Sequence, residues 1–433
     1  MLRRKIYDDL LNWKRNNNKK VLLVKGARQV GKTFIIEEFC KNNYDNFIEI
    51  NFFETNDYKK IFEGNLDVET ILKEMSLYVK NFRLINDKTV IFLDEIQECP
   101  RAITALKFLS MDKRFDVIAS GSLLGLNYKE EIPSYPVGYI EHLEMHGLDF
   151  EEFLWANGIQ SDAINYLKEL FDKKEVIPVS VHDKMMSLFK EYIVVGGMPE
   201  VVNVFVNEHN FNTVLKLQRD IIESYKMDIG KYAKDNDKAK IRECFLSIPR
   251  QLSQENKKFK YKLVESSGKA NKYRGSLEWL FDANIITFCH NLKNLEAPLE
   301  GNSVDNVFKV YMRDTGLLLA MLEDGSQKEI IEGNLGIYKG AIYENIIADV
   351  FTKLGKKLYY YSPSSSLEID FVIRYENEIC VVEVKSADNT KSKSIKNVMA
   401  KKMVKKGIKL SAKNIGSNSL DVISIPLYMA IFL

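Results

Sequence analysis

Along the first 145 residues, apolar positions follow two periods in turn. Strand-like runs at Lys20 to Val24, Asn46 to Asn51, Thr89 to Leu93 and Asp116 to Ala119 alternate with helix-like runs at Thr33 to Asn42, Val68 to Val79 and Ile103 to Leu109. Such alternation predicts a parallel sheet covered by helices, since each crossover between parallel strands needs about a helix's length of chain. An amphipathic helix carrying Ile6, Leu10, Leu11 and Trp13 leads into it. From Asp149 to about Lys234 the spacing is helical (Phe153, Leu154, Leu167, Leu170, Leu188, Tyr192, Val195) and is broken at Gly196-Gly197-Met198-Pro199, which predicts a helical lid. Residues 236 to 290 read as three helices and a strand, Ile285 to Cys289, the order of a winged helix. After a polar linker, Leu292 to Ser303, come Val307 to Asp314, Asp324 to Gly336 and, from Lys339, a last α/β unit. The expected divisions are a parallel-sheet core at 1–147, a lid at 148–235, a winged-helix-like domain at 236–325 and a C-terminal α/β domain at 326–433.

Composition narrows the setting. With 45% hydrophobic and 28% charged residues, the chain belongs with globular rather than disordered proteins. The opening reads as an amphipathic helix, not an export signal, and the apolar run Ile423 to Leu433 is far shorter than the roughly 20 residues of a membrane span. Cys40, Cys99, Cys244, Cys289 and Cys380 stand singly, so the expected location is a reducing cytoplasm, without membrane contact. A net charge of +2 excludes a globally basic chain and leaves nucleic-acid binding to local clusters.

The chemistry begins at Gly26-Ala27-Arg28-Gln29-Val30-Gly31-Lys32-Thr33, a GxxxxGK[ST] match between an apolar strand and a helical run. Its glycines let backbone N–H groups curl around phosphates, Lys32 reaches the β and γ phosphates of ATP, and Thr33 offers a hydroxyl to Mg2+. A second motif, Val90-Ile91-Phe92-Leu93-Asp94-Glu95, is an apolar strand ending in two acids. Asp94 is expected to hold the magnesium through water, and Glu95 to orient or deprotonate the attacking water. The strand that ends in Ser120-Gly121-Ser122 offers a hydroxyl that either senses the γ phosphate or caps a turn.

A third constellation lies late in the chain. Glu344 sits in an amphipathic helix, Asp370 in the apolar strand Leu367 to Ile373, and Glu383 and Lys385 in Ile379 to Lys385. Acids on neighbouring strands can converge on a second divalent metal, with Lys385 on the same face as Glu383 to position water. Between Lys385 and Lys413, ten lysines face one acid, Asp388, a density that either tracks a phosphate backbone or forms a solvated face. Lys257, Lys258, Lys260, Lys262, Lys269, Lys272 and Arg274, interleaved with Phe259, Tyr261 and Tyr273, suit a DNA-contacting helix and wing, or a small core kept soluble by lysines. His142 and His146 lack a third ligand, and Tyr359, Tyr360 and Tyr361 are read as half-buried strand rather than base-stacking residues.

The segments GARQVGKT, FLDEIQ, ASGSLLG, VGGMPE, YMRDTGLL and GAIYENIIADVF resemble the bacterial and archaeal AAA+-related ATPases with an appended C-terminal domain of unknown function, of the DUF4143 type. The resemblance spans nearly the whole chain. It implies an AAA-type lid and puts Ser122 at the sensor position. Where many relatives show a Gly-Arg pair, this chain has Gly138-Tyr139, so no arginine finger carries over; Arg28, Arg101, Arg114 and Arg219 stay as undiscriminated candidates. The late acids resemble the PD-(D/E)XK nuclease fold, with Glu344 matching its helical acid. The expectation is an α/β protein: a P-loop NTPase sheet with lid, a winged-helix-like middle and a restriction-endonuclease-like end. It hydrolyses ATP and couples nucleotide state to DNA, as a homo-oligomer if its sites are completed between subunits. The alternatives are a regulatory ATPase that binds a protein partner through an inactive tail, and a small-molecule kinase.

Overall fold

The computed structural model describes residues 2–16, 19–122, 136–333, 338–385, 393–417 and 422–433. They form two compact units, one of Arg4–His146 with Asp282–Asn284, the other of Met1–Arg3, Gly147–Phe281 and Ile285–Leu433.

In the first unit the order is α1 (Ile6–Arg15), β1 (Val21–Gly26), α2 (Lys32–Asn43), β2 (Asn46–Asn51), α3 (Val68–Tyr78), β3 (Thr89–Asp94), α4 (Pro100–Met111), β4 (Phe115–Ser122) and β5 (Ile140–Met145). The strands lie in the order β2-β3-β4-β1-β5, with every pair parallel. Successive side chains of a strand leave on opposite faces. Accordingly Leu22 and Val24 pack with Trp13, Ile36 and Phe39 on one side, and Val21 and Leu23 with Ile71, Met75, Ile103 and Leu106 on the other. Strand β3 is buried at all of its positions and lies between β2 and β4, which explains its unbroken apolar run. Strand β5 was not anticipated: it lies at the sheet edge, and between the buried Ile140 and Met145 its side chains are polar or half-exposed, so it lacks an apolar signature.

The second unit opens with the helices α5 (Phe150–Ala156), α6 (Ser161–Lys173), α7 (Val179–Val195), α8 (Pro199–Glu208), α9 (Phe211–Tyr232), α10 (Asp235–Leu252) and α11 (Ala270–Asp282). A hairpin follows, β6 (Ile286–Leu292) and β7 (Ser303–Met312), then α12 (Thr315–Ala320), α13 (Ser326–Glu332) and α14 (Lys339–Lys353). The chain ends with β8 (Leu358–Ser364), β9 (Leu367–Tyr375), β10 (Glu378–Val384), α15 (Lys393–Ala400), β11 (Lys406–Ser411), β12 (Gly416–Ser417) and β13 (Val422–Pro426). Among the described residues these strands form one sheet in the order β12-β13-β11-β10-β9-β8-β6-β7.

Two differences from the sequence reading stand out. Of the three helices expected over 236–290, the middle one is a single turn at Tyr261–Leu263. The strand expected at Ile285 to Cys289 is half of a hairpin, and it pairs in parallel with β8, from Cys289 opposite Leu358 to Leu292 opposite Tyr361. The division drawn at residue 325 therefore crosses a continuous sheet. The outer edge of β7 is covered by the Lys258 segment, where Phe259 N donates to Phe308 O at 2.9 Å, a common way of closing a sheet edge.

The motifs VGGMPE, YMRDTGLL and GAIYENIIADVF meet in this unit's interior. Gly197 N donates to Asp314 Oδ2 at 2.7 Å, and Asn345 bonds Met312 N and O at 2.8 and 3.1 Å. A Cβ on Gly196 would lie 2.3 Å from Asp314 Oδ1, so both close approach and a φ of +74° require glycine there. Lys353 Nζ reaches Asp349 Oδ2, Tyr192 OH and Leu148 O at 2.8, 3.0 and 3.1 Å. Tyr359, Tyr360 and Tyr361 are all buried, as a packed strand demands. No helix among the described residues is long and apolar enough to cross a membrane.

Candidate functional site

Gly26 closes β1, and the loop from Ala27 to Gly31 leads directly into α2 at Lys32. Gln29 and Gly31 take left-handed conformations, with φ of 64° and 87°, which turns backbone N–H groups inward in the manner of an anion-binding nest. Ala27 and Val30 are buried and anchor the loop in the core beneath it. Glycine is obligatory at position 26, because a Cβ would stand 2.3 Å from Met145 O. Lys32 is 6% exposed and donates to Ala27 O at 2.9 Å and Gly26 O at 3.2 Å. Burial lowers its pKa, against the pull of Glu95 and Asp94 and with some help from Arg28. Its charge thus rests on neutral carbonyls.

Asp94 ends β3, where the Thr33 hydroxyl donates to Oδ2 at 3.0 Å and Asn51 Nδ2 to the same oxygen at 3.1 Å. Ser120 Oγ donates to Oδ1. Burial raises the Asp94 carboxyl above its ordinary value, Glu95 adding to the rise and the Ser120 and Thr33 hydroxyls opposing it. Glu95 follows with a left-handed φ of 53°, a conformation of some cost to a residue with a Cβ, and its Oε2 accepts from Gln97 Nε2. Buried Gln97 in turn accepts from Ser122 N at 3.3 Å. Strand β4 lies between β1 and β3 and so brings Ser122 opposite Gly26 in the sheet register. Ser122 is therefore beside the root of the loop, whereas the hydroxyl on Asp94 is that of Ser120.

Sequence reading put the sensor at Ser122 rather than Ser120 and passed over Asn51 and Gln97, polar residues whose role depends on what lies beside them. It also passed over Arg4. Arg4 is 7% exposed and donates to Val30 O at 3.2 Å and His146 O at 2.6 Å, tying the loop to the end of β5. Of the arginine-finger candidates, Arg101 holds Phe62 O and Gly64 O, Arg114 pairs with Asp112 and Glu69, and Arg219 pairs with Asp324. Arg28 stands in the loop itself.

The C-terminal acids are arranged differently from expectation. Glu344 on α14 is buried; its Oε1 lies 2.6 Å from Lys257 Nζ, and its Oε2 accepts from Tyr311 OH at 3.1 Å and lies 3.5 Å from Lys309 Nζ. Asp370 on β9 accepts from Val384 N at 2.8 Å. Burial, together with Glu344, pushes its carboxyl up to about 7, against Lys309. The β9–β10 ladder runs to Val382 opposite Phe371, and beyond it Glu383 Oε1 pairs with Lys385 Nζ at 2.5 Å. Among the described residues no three His, Cys, Asp or Glu side chains gather as metal ligands, His142 and His146 included. The residues missed here are Lys309 and Glu368, 2.6 Å apart. Lys257 had been grouped with surface lysines. The aromatics of that segment serve packing: Tyr273 is fully buried with its hydroxyl on Glu243 and Glu265, and Phe259 stacks on Phe308. Asp388 and Lys391 of the lysine-rich stretch lie outside the described residues, while Lys393, Lys396, Lys401, Lys402, Lys405 and Lys413 are exposed.

Comparison with known proteins fits this geometry. Residues 18–154 match the family described as AAA domain, residues 339–428 a domain of unknown function (DUF4143), and residues 186–328 another domain of unknown function (DUF8612). No curated protein is significantly similar in sequence. Among solved structures the chain is similar to a Walker-type ATPase of Pyrococcus abyssi, at 14% identity over 74% of this chain and 96% of that one, with a TM-score of 0.43. It is also similar to the Aeropyrum pernix ORC1 protein in complex with DNA (12% identity, 76% and 90% coverage, TM-score 0.29). A third is the Thermotoga maritima RuvB Holliday junction branch migration motor (14% identity, 66% and 89% coverage, TM-score 0.29).

Proposed function

We propose that the chain, an AAA-related P-loop ATPase with a C-terminal DUF4143 domain, couples ATP hydrolysis to gripping DNA through the lysine-rich stretch of that domain. The observation carrying the ATP half is the buried Lys32 ammonium, held by two carbonyls of the Gly26–Thr33 loop, with Asp94 among the acids that act on it. In this reading the loop from Gly26 to Thr33 binds the triphosphate. Thr33 and Asp94, whose oxygens already adjoin, would hold magnesium, a donor set of the hard oxygens that ion takes. Bound there, magnesium would neutralise charge on the β and γ oxygens. Glu95, held by Gln97, orients and deprotonates the attacking water, and Ser122 reports the state of the γ phosphate through its bond to Gln97. Assembly into homo-oligomers in the cytoplasm, with an arginine supplied by a neighbour, completes the proposal.

For DNA, the support is the exposed Lys393 and Lys396 of α15 and Lys401 and Lys402 just after it, in a stretch almost devoid of acids. The segment from Lys257 to Arg274 supports it less, since Lys272 pairs with Glu265 and Arg274 with Glu278. The test is phosphate release by purified protein with and without double-stranded and single-stranded DNA, in wild type and in a Lys396→Ala, Lys401→Ala, Lys402→Ala variant. Stimulation by DNA that disappears in the triple variant and falls with added salt is the expected result. Hydrolysis indifferent to DNA in both proteins refutes the coupling and leaves a regulatory ATPase that binds a protein partner.

A further inference from the structure

Acids ordered as Glu344, Asp370, Glu383 with Lys385 imply a divalent metal, and their surroundings can be tested against one. A divalent ion needs carboxylate oxygens free to approach it to about 2.0–2.6 Å. Here both oxygens of Glu344 are already engaged, Oε1 by Lys257 and Oε2 by Tyr311 and Lys309. Asp370 turns Oδ2 onto the Val384 N–H and Glu383 turns Oε1 onto Lys385; Glu383 Oε2 is left buried without a hydrogen-bond partner, but among the described residues no three carboxylates gather as ligands of one ion. The residues do not fit a metal.

What stands among them is a cation of the chain's own. Lys309 is 0% exposed, lies 2.6 Å from Glu368 and 3.5 Å from Glu344, and its ammonium is 5.0 Å from the centre of the Tyr360 ring. It comes from β7, two residues before Tyr311, so both side chains leave the strand on the face that meets Glu344. We infer that the Lys309 ammonium, seconded by Lys257, takes the cation's place among Glu344, Glu368 and Asp370, so that this carboxylate cluster is an internal ionic clamp and not a metal site. A fixed ammonium cannot lower the pKa of a water as a metal does. The cluster therefore ties β7 and its covering segment to α14 and β9 and cuts no phosphodiester. This holds whether or not hydrolysis at the P-loop is coupled to DNA.

Uptake of Mn2+ by the nucleotide-free full chain, followed through the paramagnetic resonance of free Mn2+, tests the inference. Wild type and Asp370→Asn are expected to take up the same amount. Lys309→Met, alone and with Lys257→Met, should gain an Mn2+ ion that is lost again when Asp370→Asn is added. A wild-type chain that binds an Mn2+ ion which Asp370→Asn does not bind overturns the inference, and so does a cooperatively melting Lys309→Met, Lys257→Met chain that gains none. Where the lysine variants do not fold, wild type against Asp370→Asn decides alone.

Discussion

Two buried lysines, Lys32 and Lys309, answer the same problem in opposite ways. Each places an ammonium out of water with acids nearby. Lys32 rests on the carbonyls of Gly26 and Ala27, and burial lowers its pKa. Lys309 lies against carboxylates, and although burial pulls its pKa down, Glu344, Glu368 and Asp370 together drive it well above the ordinary value. Removing a charge from water costs several kcal/mol unless a counter-charge replaces the solvent. A lysine whose hydrogen bonds go to carbonyls keeps its charge available to an anion, whereas one ion-paired with carboxylates is already neutralised. The first arrangement suits a binding site and the second a clamp.

That contrast can be broken by experiment. The largest effect is expected at the P-loop, where Lys32→Ala should lower the rate of phosphate release by about 10²–10³-fold. Glu95→Gln should lower it by about 10²–10⁴-fold while nucleotide affinity, measured by titration with a fluorescent ATP analogue, stays within a few-fold. Neither substitution should lower the midpoint of urea unfolding without nucleotide. By contrast, Lys309→Ala strands Glu368 and part of Glu344, and should cost about 3–5 kcal/mol of the second unit's stability in the same titration. Equal losses of stability for Lys32→Ala and Lys309→Ala would remove the distinction.

Arg4 tests the carbonyl-held class from another side. Arg4→Met gives up charged hydrogen bonds to Val30 O and His146 O, worth about 1.5–3 kcal/mol to the first unit, and should loosen nucleotide binding; an unchanged melt and affinity would show the tie to be idle. The smallest effect concerns pH. The Asp370 carboxyl, raised to about 7 by burial and Glu344, binds its proton more tightly folded than unfolded. Its contribution to stability is thus present below pH 4 and lost as pH rises from about 4 to about 7. Asp349, also raised to about 7, acts in the same direction. Asp370→Asn should make the decline of stability between pH 4 and 7 shallower, and an unaltered slope would show that Asp370 titrates elsewhere.

Much of the first unit was legible because its signals are local. An apolar run of strand length, a GxxxxGKT loop and a strand ending in two acids each declare themselves within about ten residues, and β2, α2, α3 and β3 lie within a residue or two of where the pattern put them. Edge strand β5 was not legible, since an edge needs no continuous apolar run. In the second unit β8, β9 and β10 were readable one by one, but not β11 to β13 beyond them or the continuation of the sheet into β6 and β7. Nothing in the sequence of a hairpin says which strand it will pair with.

The sequence by itself determined the chemistry on offer at the P-loop, because a phosphate-binding turn is built from consecutive residues whose backbone does the work. It also determined that Glu344, Asp370 and Glu383 stand on a helix and two strands, with Lys385 just past the second. Only the tertiary structure decided what those acids face. Lys309 lies 35 residues before Glu344 in the chain and 59 before Glu368, and it reads there as one polar residue in an apolar strand. A charge is satisfied by whatever the fold brings within a few ångström, and that distance is set by sheet order and register rather than by spacing along the chain.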